Sequence, residues 1–265
     1  MRLLFAAILI WFGGRASGAI LAQSLGTCFA LGLSLWWLRS YFRRGKKSAH
    51  RAVSWHYSAT ILLGLGVFGL LTNLDALFVK HFFTEQVAGN YGPVVTLSKV
   101  SLFLPWAIGM VLLPSVTQRQ AKGRNPRPLL LAALTAAIVP GLGITAVCFL
   151  CPGLLVRFIF TRAYADPGIV LGLASLAASL YAGLFIWLNY SASLERRAFA
   201  YVLVGVLLCQ LLGMLLFGRQ NLVHMTLAMV SAGLLGNLAG FATTWSIVPK
   251  TTARVVRAEA VVPEF

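Results

Sequence analysis

Apolar runs of roughly 20 residues recur along this chain, each long enough to cross a hydrocarbon core of about 30 Å as a helix. A segment at that depth must satisfy its own backbone hydrogen bonds, which leaves helices or closed barrels. Barrel strands alternate apolar and polar residues over about ten positions, and these runs do not alternate. Hydrophobic residues make up 59% of the chain and charged residues 11%, against about 25% charged in soluble domains. The sequence therefore predicts an all-α fold, a polytopic membrane helix bundle.

Eight spans are expected, at 3–12, 19–38, 54–79, 87–113, 129–150, 169–190, 198–217 and 222–248. The first is only about 15 Å long at 1.5 Å per residue, half a crossing. Met1-Arg2 and this short run imitate a signal peptide with a cleavage region at Ala16-Ser17-Gly18. A second apolar run follows at once, so the expectation is a helical hairpin turning at Gly13-Gly14, its first helix lacking its beginning. The block Arg39, Arg43, Arg44, Lys46, Lys47 and Arg51 then separates two unequal parts. Residues 1–38 are expected to be the last two helices of an incomplete first lobe, and 39–51 a basic cytoplasmic linker. Residues 52–250 form a six-helix second lobe, and 251–265 a cytoplasmic tail. No internal repeat is visible.

Net charge is +16, from 22 Lys and Arg against 6 acidic residues. In a soluble protein that excess points to nucleic acid. Here it collects between apolar runs, the pattern of cytoplasmic loops beside anionic phospholipid, so no nucleic-acid partner is expected. Assigning loops alternately puts sixteen basic residues on one side and five on the other, with Lys99 inside a span. That asymmetry predicts cytoplasmic termini at both ends. Cys28, Cys148, Cys151 and Cys209 lie in or beside apolar runs; Cys148 and Cys151 form a C-x-x-C without the second pair or histidine of a metal site. They are expected to pack as small apolar residues.

Asp75 is the residue hardest to reconcile with an apolar span. A carboxylate at bilayer depth costs at least about 2.5–3.5 kcal/mol on insertion scales, so it faces a bundle interior or a wet cavity. If 54–79 is one helix, Tyr57, Gly64, Phe68 and Asp75 share a narrow stripe, with Thr72 beside it. That stripe suits a cavity lining; alternatively Gly64 admits a neighbouring helix and Asp75 bonds its neighbours. Lys99 lies midway along the next span with Thr96 on its face, and needs a counter-charge or a wet cavity. Its offset from Asp75 favours a shared cavity over a direct pair. Pro105 is expected to interrupt that span and Pro114 to end it, as a moving gate or a static bend. Residues 152–168 are expected to form an interfacial helix or turn. No nucleophile, P-loop or metal motif is present. No enzyme activity, cofactor or metal is expected, and transport would be ion-coupled, driven by membrane potential, or downhill.

Asn73-Leu74-Asp75, Val79-Lys80-His81-Phe82, Gly89-Asn90-Tyr91-Gly92, Phe103-Leu104-Pro105 and Val111-Leu112-Leu113-Pro114 together form a pattern. It resembles the second half of the polysaccharide-biosynthesis flippases for lipid-linked oligosaccharides, in the multidrug/oligosaccharidyl-lipid/polysaccharide exporter superfamily. Phe158-Ile159-Phe160 to Tyr164-Ala165 is similar to that family's short outer connection. The resemblance implies two six-helix lobes around a cationic cavity, and alternating access that carries a polyprenyl-diphosphate-linked glycan across a bacterial inner membrane. Residues 52–250 match the second lobe and 1–38 the last two helices of the first. On that mapping Lys99, with Arg15, attracts the diphosphate, and Asp75 is a counter-charge, cation site or sugar acceptor. Asn73, Tyr57 and Thr96 join them as lining residues, and Pro105 and Pro114 as hinges. The competing expectations are a cation-coupled exporter of small amphipathic molecules, with Asp75 as the coupling-cation site, and a truncated remnant or assembly partner of a separate first-lobe chain.

Overall fold

The computed structural model describes residues 15–43, 55–160, 164–194 and 196–245. All regular structure among them is helical. The chain divides into two compact units, Met1–Ala52 and Val53–Phe265. The first contains α1 (Arg15–Arg43); the expected span at 3–12 lies outside the described residues. The second contains α2 (Trp55–Leu71), α3 (Leu74–Phe82), α4 (Glu85–Ser98), a 3-10 turn (Lys99–Leu102) and α5 (Phe103–Ala121). After these come α6 (Arg127–Leu150), α7 (Pro152–Ile159), α8 (Ile169–Ser193), α9 (Ala198–Phe217) and α10 (Leu222–Trp245). Among the described residues, five helices are long and apolar enough to cross a membrane, or six if α2 and α3 together make one bent crossing. A multi-pass membrane protein follows from that count.

Helix α8 is the centre of the second unit, packed against α4, α5, α6, α9 and α10. Small residues make this possible. In hydrocarbon there is no hydrophobic force between helices, so close van der Waals contact and interhelical hydrogen bonds hold them together. Gly233, Gly236 and Gly240 line one face of α10, where an added Cβ would meet Leu180, Leu184 and Trp187 of α8. On the other side, the Thr145 hydroxyl of α6 lies 3.3 Å from Ser175 Oγ and 3.1 Å from Ser179 Oγ. Cys148 is buried and Cys151 partly so, both as free thiols.

Two expected spans are not continuous helices. The run at 54–79 breaks at Thr72-Asn73, where α2 and α3 meet at 43°. This corrects the single stripe, since a break resets the helical phase between Phe68 and Asp75. Gly64 sits against Leu188 and Ala200, and Phe68 stacks on Phe185 at 5.2 Å, so both are packing residues. In the next span the irregularity falls at Lys99–Leu102 rather than at Pro105. Pro105 is the third residue of α5, where its missing N–H is one the helix start does not need. Pro114 does not end the span; it lies inside α5, which continues to Ala121.

Candidate functional site

A helix that stops inside a membrane leaves its last four carbonyls without partners. At the end of α2 the sequence supplies a donor for each one. Phe68 O accepts from the Thr72 amide and hydroxyl, both at 3.1 Å. Gly69 O accepts from Thr72 Oγ1 at 3.1 Å and Asn73 Nδ2 at 2.7 Å, and Leu70 O from the Asn73 amide at 3.0 Å. Leu71 O receives Nε2 of Gln210, reaching from α9, at 3.2 Å. Thr and Asn favour such local bonds over helix continuation, which is why the break falls here. The Gln210 side chain is itself fixed. Tyr181 Oη of α8 donates to its Oε1 at 2.8 Å and lies 3.3 Å from Met229 O of α10.

Asp75 is the second residue of α3, at the positive end of the helix dipole. It is 2% exposed. Tyr91 Oη of α4 donates to Asp75 Oδ2 at 3.0 Å, while Oδ1 has no hydrogen bond among the described residues. Lys99, partly buried in the 3-10 turn, donates through Nζ to Asn73 Oδ1 at 2.8 Å. Asn73 thus joins the two discontinuities. Its amide nitrogen closes the end of α2 and its amide oxygen holds the lysine of the α4–α5 turn. Ser101 Oγ, in that same turn, is also buried without a partner, so both breaks hold a polar atom in excess of its local donors and acceptors. Such atoms are rare in folded proteins, and each calls for a physical explanation.

The site therefore gathers three of the residues expected from sequence, Asn73, Asp75 and Lys99. Thr96 is exposed and bonds its own helix at Gly92 O, 3.0 Å away. Pro105 is buried and Pro114 exposed. Arg15 and Tyr57 begin α1 and α2, but their side chains lie outside the described residues. Sequence reasoning missed Tyr91, Tyr181 and Gln210. Gln210 did leave a signal: it is the one amide in the apolar run of α9, where a polar side chain needs a partner as Asp75 does.

An open apolar groove between α5 and α8 is lined by Trp106, Gly109, Met110, Leu113, Phe185 and Asn189. Lys99 supplies a cation and the groove an apolar surface, the two kinds of contact that an amphipathic anion requires. No family model matches the chain, and no curated protein or solved structure does either.

Proposed function

We propose that the chain is a transporter of polysaccharide biosynthesis that moves a lipid-linked oligosaccharide across a bacterial inner membrane by alternating access. The observation that carries this reading is the meeting of two helix breaks at Asn73, with Lys99 on one side and buried Asp75 on the other. Discontinuous helices bring polar side chains to the interior of a transporter bundle and give it places to bend. In this reading Lys99 receives the diphosphate, the groove from Trp106 to Leu113 takes the polyprenyl chain, and Asn73 and Thr96 offer hydrogen bonds to sugar. The eight-span arrangement with both termini cytoplasmic, argued from loop charge, belongs to the same proposal.

The test is complementation of a strain that lacks surface glycan export. Lys99→Ala, expressed at the wild-type level, should abolish export, and Lys99→Arg should retain part of it. Undiminished export by Lys99→Ala refutes the assignment.

A second reading, cation-coupled export of small amphipathic molecules, is favoured by one feature, the buried and unpartnered Oδ1 of Asp75. It predicts that Asp75→Asn abolishes drug resistance in an efflux-deficient strain and that glycan export is never restored.

A further inference from the structure

The short helix α7 takes no part in the site described above, and its surface carries a separate message. It has eight residues, Pro152–Ile159, or about 12 Å at 1.5 Å per residue, too short to cross a bilayer. Only Cys151 separates it from the end of α6, and α8 begins at Ile169, so α7 is held at one end of two membrane spans.

Its residues sort by angle. Val156 is 1% exposed and faces the bundle, while Phe158, the most exposed, is 91% open and Leu154 is 67%. At 100° per residue Leu154 stands 200° from Val156, and Phe158 lies 40° beyond Leu154. Exposed Arg157 falls on the opposite flank of Leu154, 100° from Phe158. The helix thus has a packed side, an apolar outer side and a cationic margin. Helix α6, which α7 follows after Cys151, also exposes apolar side chains at Val139, Leu142, Val147 and Leu150. Helix α6 is long and apolar enough to cross a membrane, so a helix joined to its end by one residue starts at the membrane boundary, where a lipid leaflet meets its apolar side.

We propose that α7 is an interfacial helix that docks on the phospholipid leaflet, with Leu154 and Phe158 in the upper acyl region and Arg157 on lipid phosphate. Helices of this kind sit about 5–10 Å into the boundary between headgroups and acyl chains. Lying flat, α7 anchors the α6–α8 connection at a fixed depth, and does so whatever the bundle carries.

Depth-resolved quenching tests the proposal. The whole chain is reconstituted in phosphatidylglycerol-containing vesicles with Cys28, Cys151 and Cys209 replaced by alanine, buried Cys148 being left in place. Phe158→Cys, Leu154→Cys and Arg157→Cys each receive a small thiol-reactive fluorophore. At 158 and 154, a nitroxide near the top of the lipid acyl chain should quench most strongly. A nitroxide near the chain's methyl end and aqueous iodide should each quench less than half as much. At 157, headgroup nitroxide and iodide should dominate. Strong iodide quenching at 158 and 154 places the helix in water and overturns the proposal. Strongest quenching by the deep nitroxide means that α7 inserts rather than lies flat. Protection from every quencher means that protein, such as a second copy of the chain, covers the face. Either result overturns it as well. Because 154 and 158 are both exposed, loss of one labelled variant leaves the other to decide.

Discussion

Replacing Tyr91 with Phe removes one hydroxyl and leaves the ring, so it isolates the hydrogen bond that Tyr91 Oη gives to Asp75 Oδ2. Tyr91 and Asp75 are each 2% exposed, so bulk water cannot replace the lost donor. Asp75 Oδ1 has no hydrogen-bond partner among the described residues, and the substitution removes the side-chain donor to Oδ2. Stranding a buried acceptor costs about 1–3 kcal/mol, more when it is charged. Removing both partners in favour of apolar groups of similar shape is close to neutral. Tyr91→Phe should therefore destabilise the wild-type bundle by about 1–3 kcal/mol, whereas in the Asp75→Leu bundle, where the Tyr91 hydroxyl is itself stranded, it should be neutral or stabilising. Their difference, the coupling energy, should therefore be at least about 1 kcal/mol, above the average of about 0.6 kcal/mol for interhelical hydrogen bonds in a membrane bundle. Steric trapping or a detergent-unfolding titration of the four variants measures it. An equal loss from Tyr91→Phe in both backgrounds refutes the argument that the pair is the carboxyl's main support.

Three further outcomes follow from the same geometry. Gln210→Leu strands Leu71 O at the end of α2 and leaves the Tyr181 hydroxyl only Met229 O, and should lower unfolding stability by about 1–3 kcal/mol, whereas Cys209→Ser beside it, on an exposed position, should not. Gly236→Ala places a Cβ 2.7 Å from Leu184 Cδ2 and 3.1 Å from Val206 Cγ2, and should cost about 1–3 kcal/mol as overpacking; Gly69→Ala, with nothing within 4 Å, is the neutral control in the same assay. Asn73→Leu removes both the donor to Gly69 O and the acceptor for Lys99, so transport should fall while the apolar groove still binds a polyprenyl chain by native mass spectrometry.

Hydropathy made the helical membrane class legible, because an apolar run of sufficient length has few other ways to satisfy its backbone. It also singled out Asp75 and Lys99, since charges in such runs are expensive. The same reasoning treated each run as one continuous helix and so misread the faces. Thr72-Asn73 carried the break as local hydrogen-bonding capacity, which hydropathy does not weigh, and the resulting change of phase sends Gly64 and Phe68 into packing against α8 and α9. Pro105 and Pro114 drew attention for the strain they bring to a helix interior, but Pro105 falls in a first turn and Pro114 is accommodated within α5. The contact of Asn73 with Lys99 spans 26 residues and depends on how α3 and α4 pack, which no local pattern encodes. Tyr181 and Gln210 are tied to the break by the same long-range packing, and single polar residues in apolar runs do not declare their partners.

The most direct measurement is translocation by the purified chain. In proteoliposomes loaded with a polyprenyl-diphosphate-linked oligosaccharide, the fraction of glycan reached by an added, membrane-impermeant glycosidase reports flipping. The wild-type chain should expose glycan over time beyond protein-free vesicles, and Lys99→Ala and Asp75→Leu should return it to that background. Exposure at the background rate with the wild-type chain, or an unchanged rate with Lys99→Ala, would contradict the account.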